Sequence, residues 1–246
     1  MIRRTWPRLA VAAGLLLAAG PLAAQGLTLD LADDGSLALR SVQLLVLLTV
    51  LSLVPAIVIM VTCFPFMVTV LAILRQAIGL QQSPPNMLMV SLALFLTYFV
   101  MEPIFADAWT AGIEPMLAGE LVLEDGLPRA IAPLRDFMAA RVDGDTLSEM
   151  TALRPDVGSD AALDDVPLSV LLPSFLLSEV AHAFEVGFLI FLPFLIIDLV
   201  VAAVLMSMGM MMVPPAIVSL PFKLAFFVVA DGWSLIAASL VRGYGV

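Results

Sequence analysis

Long apolar runs follow one another along this chain, separated by short turns and by one longer acidic segment. Positions 42–74 carry no charge, and mostly apolar runs also cover 87–101, 186–208 and 216–240. Apolar residues occupy every face of each run instead of alternating with polar ones, which argues against a closed β-barrel and favours helices. We therefore predict an all-α, membrane-associated protein built from two helical hairpins.

The first hairpin is predicted over residues 42–103. A single helix over its uncharged part would be about 50 Å long, well beyond the hydrocarbon core of a bilayer. Because proline interrupts helices, we expect a helix over 42–62, a break near 63–65 and a second helix to about Ile78. A Pro-Pro turn follows, and Ser83 is the expected cap of the helix after it.

The second hairpin is predicted over residues 168–246. Its helices are expected at 168–183, Val186–Met208 and Ala216–Leu240, and a turn at Gly209–Pro215 joins the last two. Each hairpin therefore has a Pro-Pro turn between apolar helices, and this shared layout indicates a weak internal repeat.

An acidic segment separates the two hairpins. Residues 102–165 contain 14 acidic and 4 basic side chains, which accounts for the net charge of −10 of the whole chain. Glycine and proline recur there, and Ala130–Val142 is the best helix candidate because its apolar residues recur at helical spacing. We predict a small acidic helical extramembrane domain at 104–167. No region presents a basic face, so nucleic acid is not an expected partner.

The first 24 residues have the pattern of a secretory signal peptide. Arginines precede an apolar run at Leu9–Ala19, and small residues lead to an expected cleavage site after Ala24. The run is short for a membrane span, and an uncleaved anchor helix is the alternative. Cleavage would leave 25–41 as a periplasmic linker. The acidic domain would then face the periplasm, and both Pro-Pro turns would face the cytoplasm.

Residues that usually carry catalysis or bind metals are scarce. The chain has one cysteine, Cys63, and one histidine, His182, which excludes an intrachain disulfide and leaves too few ligands for a Cys/His zinc site. Its only lysine, Lys223, follows a phenylalanine, so there is no phosphate-binding Gly-Lys loop. These absences exclude most enzyme classes, and we expect no catalytic residue, metal or cofactor.

Three charges lie inside the apolar runs of the second hairpin: Asp198, Lys223 and Asp231. A charge near the centre of a bilayer costs about 2.5–3.5 kcal/mol on insertion scales, so we expect these side chains to face protein or water. Two interpretations remain open. One is pairing of Lys223 with either aspartate between helices, within or between subunits, and the other is an ion or proton relay. Lys223 and Asp231 lie about 80° apart around one helix and are poorly placed to pair on it.

Glu179 and Glu185 are included in this predicted network of buried charges. With His182 they are spaced i, i+3 and i+6, near one face of the predicted helix. Because histidine titrates near neutral pH, one interpretation is a proton-responsive cluster. The alternative is a polar helix face that packs on a neighbour or is wetted.

Methionines cluster at the turn of the second hairpin. They are Met206, Met208, Met210, Met211 and Met212. Methionine is flexible and fills irregular gaps, so a ring of such loops from several subunits would close a pore yet yield to an unfolded chain. A soft apolar constriction also resists ion leak by dewetting. The alternative is that these residues fill a core. The residues expected to support or hinge the loop are Met208, Gly209, Pro214 and Pro215, and Phe191 is expected either to line the passage or to pack in the core.

The hairpins contain several recognisable motifs. They are Phe191–Asp198, Gly209–Pro215, Leu220–Lys223, Val229–Trp233, Ser83–Asn86 and Leu92–Thr97. In these motifs the chain closely resembles the FliP family of flagellar type III export-gate proteins, over about residues 41–242. The chain departs from the family pattern at Cys63–Phe66, where Ser-Phe-Thr-Arg is usual, and at Met87 and Ser91. These departures concern the partner contacts of the first hairpin and not the pore loop.

The resemblance implies a pore-forming subunit of the flagellar export gate, which lies in the bacterial inner membrane at the flagellar basal body. Such a subunit passes unfolded flagellar substrates and nucleates assembly of the export apparatus. The resemblance also implies that Met210, Met211 and Met212 form the gasket of the pore. It further implies a ring of five copies and FliQ-like, FliR-like, FlhB-like and FlhA-like partners. Three alternatives remain: an injectisome-type gate, an oligomeric ion or solute transporter that uses Asp198, and an assembly scaffold without a passage.

Overall fold

The structure is a computed structural model that describes residues 34–80, 83–154 and 166–245. All regular structure in these ranges is helical, which confirms the predicted all-α class. The predicted signal peptide and most of the predicted linker lie outside the described residues. The helices are α1 Asp34–Met60, α2 Phe64–Ile78, α3 Asn86–Ala108, a π-helical turn Trp109–Ile113, α4 Glu114–Leu117, α5 Leu123–Arg141, α6 Gly144–Ala152, α7 Leu168–Ser207, α8 Pro215–Val229 and α9 Gly232–Arg242.

The chain divides into two units, Met1–Leu53 and Val54–Val246. Of the first unit, the structure describes one stretch of apolar helix, the part of α1 that ends at Leu53. The second unit contains every site discussed below.

Several described helices have the length and composition of membrane spans. Three stretches qualify by themselves, Arg40–Met60, Asn86–Leu117 and Leu168–Ser207. Helices α8 and α9 add a fourth if the bent pair is counted as one span. Since about 20 apolar residues cross a bilayer as a helix, these lengths fit a protein of three or four spans.

The predicted break in the first apolar run is present, slightly earlier than expected. Helix α1 ends at Met60 and α2 begins at Phe64. Pro65 lies in the first turn of α2, where a missing backbone N–H costs nothing because that group has no partner within the helix. Pro55, by contrast, lies inside α1 without ending it.

Helix α2 forms the centre of the core of the second unit. One face of it is fully buried, including Met67, Leu71 and Leu74, and this spacing gives an amphipathic helix with one apolar stripe. Helix α7 packs closely on α2 at Gly187. A Cβ atom added to Gly187 would lie 2.4 Å from the Ile73 side chain, so glycine permits this approach. Side chains from α3, α8 and α9 complete this core, among them Phe227.

The acidic segment folds into helices α5 and α6. Helix α5 begins at Leu123, earlier than the predicted start at 130. It packs against the π-helical turn so tightly that a Cβ atom on Gly112 would meet the backbone nitrogen of Ala130 at 2.4 Å. Helix α6 is capped by Asp143, whose carboxylate accepts a hydrogen bond of 2.9 Å from the Thr146 N–H.

Three local predictions were wrong. The predicted helices at 168–183 and 186–208 form one helix of 40 residues, α7, which continues through its two prolines. The predicted helix 216–240 is broken by a bend of 62°, because Asp231 adopts a left-handed conformation with φ 48°. Ser83 does not cap α3, whose N-cap position is held by Pro85.

Candidate functional site

The methionine loop, residues 208–214, joins α7 to α8. Helix α7 ends in a Schellman motif, in which the Gly209 N–H donates to the Met206 carbonyl and the Met210 N–H donates to the Leu205 carbonyl, both at 3.0 Å. Gly209 has φ +74° and open space around it, so the backbone conformation and not crowding favours glycine there. On the far side of the loop, Pro215 begins α8, a position that suits proline.

The side chains at the tip of this loop are exposed. Met211 and Met212 are 85% and 96% exposed, and Met208 and Met210 are exposed to a lesser degree. They therefore do not fill a core within this chain. Phe191, by contrast, is partly buried and packs against the core around α2.

Asp198 and Lys223 join the two helices that carry the methionine loop. The Lys223 ammonium lies 2.6 Å from the Asp198 carboxylate, and the Ser219 hydroxyl donates to the other Asp198 oxygen at 2.6 Å. Lys223 also donates to the Ala77 carbonyl at 3.1 Å. That carbonyl belongs to the last turn of α2, where carbonyls lack helical partners and a cation is favourable. The cluster therefore fastens α2, α7 and α8 at one point.

Glu179 lies in a second cluster. Its side chain is fully buried, and one carboxylate oxygen is 3.0 Å from Arg141 Nε. Tyr244 donates its hydroxyl hydrogen to the other oxygen. Arg141 also donates to the Gly243 carbonyl at 3.3 Å, and its guanidinium lies 4.3 Å from the centre of the Tyr244 ring. This cluster joins α5, α7 and the residues after α9.

Burial, and then the neighbouring Glu179 carboxylate, raise the pKa of Tyr244 well above its usual range. The phenol therefore stays protonated at physiological pH and acts as a hydrogen-bond donor to Glu179.

The predicted charge network is divided by the fold. Asp231 is exposed between α8 and α9, and Glu185 is exposed on α7. Residues spaced i and i+6 lie about 120° apart around a helix, so Glu179 points into the core while Glu185 does not. His182 also stays outside the Glu179 cluster, and its Nδ1 is buried without a partner among the described residues.

Sequence reasoning missed the partners that the fold supplies. Arg141 and Tyr244 were not connected with Glu179, and Ser219 and the Ala77 carbonyl were not connected with Lys223. The only available signal was physical: a carboxylate in an apolar helix requires a donor, but nothing in the spacing identifies which donor.

The described residues also contain potential metal ligands and pockets. No three of their His, Cys, Asp and Glu side chains lie together as a ligand set. A groove of about 450 Å³ between α7 and α8 is lined only by apolar side chains, from Ile196 to Phe222. Such a groove is suited to packing rather than to chemistry.

Comparison with known proteins gives consistent results. The FliP family model matches residues 47–240. The flagellar biosynthetic protein FliP of Caulobacter vibrioides is 49% identical over 236 residues, which cover 96% of this chain and 88% of that protein. The protein of the same name from Aquifex aeolicus is 42% identical and covers 94% and 97% of the two chains. The one from Bacillus subtilis is 43% identical and covers 83% and 92%.

These similarities extend over nearly the whole described chain. The matched range contains the methionine loop and both ion pairs, and it stops before Tyr244. The chain therefore belongs to the FliP family and is a membrane protein of the flagellar export apparatus.

Proposed function

We propose that this chain is a pore-forming subunit of the flagellar type III export gate, which passes unfolded flagellar substrates across the inner membrane. The observation that carries the proposal is the set of exposed methionines at the tip of a braced hairpin. Met211 and Met212 have little contact within the chain, and Met210 is 37% exposed, so all three offer surface to the same residues of neighbouring copies.

The hairpin holds its loop at a defined position. The Schellman motif and Pro215 fix the two ends of the loop, and the ion pair between Asp198 and Lys223 fixes the two helices behind it. A rigid base with a flexible apolar tip suits a gate, because methionine side chains repack around whatever passes. The seal would exclude ions by dewetting.

A ring of copies would cover the apolar surface that a single copy exposes. Large apolar side chains are exposed along α3, α7 and α8, and a surface of this kind requires lipid or protein contacts. We propose a ring of five copies completed by FliQ-like and FliR-like subunits, which nucleates the export apparatus and receives substrates through FlhA-like and FlhB-like components. In this arrangement the acidic segment faces the periplasm, and the chain acts by gating instead of by catalysis.

The test is to replace all three gasket methionines by alanine in the assembled complex. We expect leak of ions and small solutes through inner-membrane vesicles, because alanine side chains are too short to close the same opening. Met60→Ala is the matched control, since Met60 is 51% exposed but lies at the end of α1. Tight vesicles that carry the triple variant would instead favour an assembly scaffold without a passage.

The transporter alternative makes a different prediction at Asp198. Both carboxylate oxygens are engaged, by Ser219 and by Lys223, which supports a structural role. With a structural role for Asp198, Asp198→Asn should weaken the hairpin and leave any solute flux into vesicles unchanged. Loss of such a flux in vesicles, with the complex intact, would favour the transporter.

A further inference from the structure

The residues after α9 close over the Glu179 cluster. Tyr244 and Gly243 bring a phenol hydroxyl and a backbone carbonyl to the buried pair of Arg141 and Glu179. These contacts connect positions that are 65 and 102 residues apart in sequence. The segment that follows α9 is thereby tied to the acidic segment and to α7.

The Tyr244 ring makes contacts on several sides. It meets Phe66 of α2 edge-on, with ring centres 5.5 Å apart. It stacks on Phe137 of α5 at 6.2 Å, and the Arg141 guanidinium covers one face. Aromatic pairs and cation–π contacts of this kind are each favourable, so one side chain bridges α2, α5 and, through its hydroxyl, α7.

Burial of Glu179 depends on this bridge. An ionised carboxylate in an apolar core is stable only when its oxygens have partners. Arg141 serves one oxygen and Tyr244 serves the other. When Tyr244 leaves, one oxygen of a fully buried group loses its donor, so docking of Tyr244 and burial of Glu179 are coupled.

We propose that Tyr244 is a positioning residue that latches the acidic segment onto the helical core of the subunit by way of Glu179. It touches no substrate and forms no part of the methionine loop. The proposal concerns how α2, α5 and α7 are held in register, and it does not depend on whether the loop forms a pore.

The chain carries its own reporter of this latch. Cys63 is the only cysteine in the sequence, and its side chain is fully buried. It belongs to the core against which Phe137 and Tyr244 pack, and it lies within electrostatic reach of both Glu179 and Arg141. A maleimide reagent can reach this thiol only when the core opens locally, so the labelling rate reports the open population.

The experiment measures labelling of Cys63 by N-ethylmaleimide in the full-length chain, both in membranes and after detergent extraction. Tyr244→Phe removes one oxygen atom and keeps the ring. We expect labelling to be about tenfold faster or more, the factor that corresponds to loss of a hydrogen bond to a charged group. Tyr244→Ala should label faster still. Tyr98→Phe is the matched control and should label at the wild-type rate, because Tyr98, the other tyrosine of the chain, is 65% exposed.

A second pair of variants tests whether the latch acts through Glu179. In the Glu179→Gln background, Tyr244→Phe should change the labelling rate by much less than tenfold, since the charged acceptor is already gone. Equal factors in the two backgrounds would overturn the proposal, and so would wild-type labelling of Tyr244→Phe. Should Tyr244→Ala fail to accumulate in the membrane, Tyr244→Phe still decides the question.

The two proposals fail separately. Tight vesicles with the methionine variant would overturn the gate and leave the latch untouched. Unchanged Cys63 labelling in Tyr244→Phe would overturn the latch and leave the gate standing.

Discussion

Two ion pairs in the described part of the chain differ in what they connect. Asp198 and Lys223 lie on the two helices of one hairpin, 25 residues apart, directly behind the methionine loop. Arg141 and Glu179 connect the acidic segment to the core across 38 residues. The carboxylates differ in solvent access, since the Asp198 side chain is 34% exposed and that of Glu179 is 0% exposed, while Lys223 and Arg141 are 7% and 23% exposed.

This difference in solvent access assigns different roles to the two pairs. A carboxylate that water reaches keeps part of its solvation when its cation is lost. A carboxylate that no water reaches is left as an unpaired charge in an apolar medium. Loss of the cation should therefore cost less at Asp198 than at Glu179. We call the pair of Asp198 and Lys223 the brace and the pair of Arg141 and Glu179 the joint.

The largest effect is expected from Arg141→Ala. It leaves the Glu179 carboxylate without its cation, a loss of about 3–5 kcal/mol for a buried pair. Thermal unfolding of the detergent-extracted chain measures the change. Arg141→Ala combined with Glu179→Gln should recover much of the stability, because the neutral amide tolerates burial. A double variant no more stable than Arg141→Ala would show that Arg141 acts through packing alone.

A smaller effect is expected from Lys223→Met. The substitution shortens the side chain by one atom and removes its charge, while Asp198 retains the Ser219 hydroxyl and access to water. The expected loss is about 1–3 kcal/mol, the range for leaving polar partners unsatisfied, in the same unfolding measurement. A loss as large as that of Arg141→Ala would break the distinction between brace and joint.

Gly209→Ala tests the end of α7, where the methionine loop begins. Alanine in the left-handed region costs about 1–2 kcal/mol, and the open space around Gly209 leaves backbone strain as the only penalty. Gly144→Ala is the control, since Gly144 also has open space but lies in the first turn of α6 without a positive φ. Equal stability of the two variants would indicate that the loop adopts other conformations at no cost.

The smallest effect is a pH dependence at Asp143, which lies next to the pair of Arg141 and Glu179. The Asp143 N–H donates to Ser178, the residue before Glu179, at 2.9 Å. Hydrogen bonds from the Thr146 backbone N–H, and then from its hydroxyl, lower the pKa of Asp143. A lowered pKa means that the stabilisation is complete above the ordinary value of 3.8 and is lost as the pH falls through the folded-state value.

Amide hydrogen exchange in α6 should therefore be protected by the cap across the neutral range and lose that protection only in acid. Asp143→Asn is the control, because asparagine caps helices well and does not titrate. An acid transition that persists in Asp143→Asn would assign it to another group.

The apolar runs predicted the helices well, because burial of apolar residues at helical spacing decides the fold class before any detail of packing. The bend at Asp231 was not predicted, although a turn signal is present there. Asp-Gly is a turn dipeptide, but the long apolar run around it favoured one continuous helix. In the structure a Cβ atom on Gly232 would meet the Phe227 ring at 2.2 Å, so the glycine permits the close return of the chain.

The candidate site, too, was predictable only in part. The pairing of Asp198 with Lys223 was one of the predicted outcomes, because charges in an apolar hairpin have few other places to go. The partners of Glu179 could not be predicted, because only the packing of α5 and of the residues after α9 brings Arg141 and Tyr244 to it. Local spacing instead favoured Glu185, which is exposed, and His182, whose buried Nδ1 makes no hydrogen bond among the described residues.

The length of α7 has a consequence for how the protein is made. An unbroken helix of 40 residues measures about 60 Å, roughly twice the thickness of the hydrocarbon layer of a bilayer. Lipid tails can therefore solvate only about half of this mostly apolar helix, and the rest must meet protein or water. The chain's own helices cover part of it, since most buried residues of α7 lie between Val170 and Gly187. In the proposed ring, a newly inserted copy without its neighbours would still expose apolar side chains such as Phe188 and Leu189. Synthesis of this subunit should accordingly be timed with that of the chains that cover it, and excess copies should be cleared by membrane proteases.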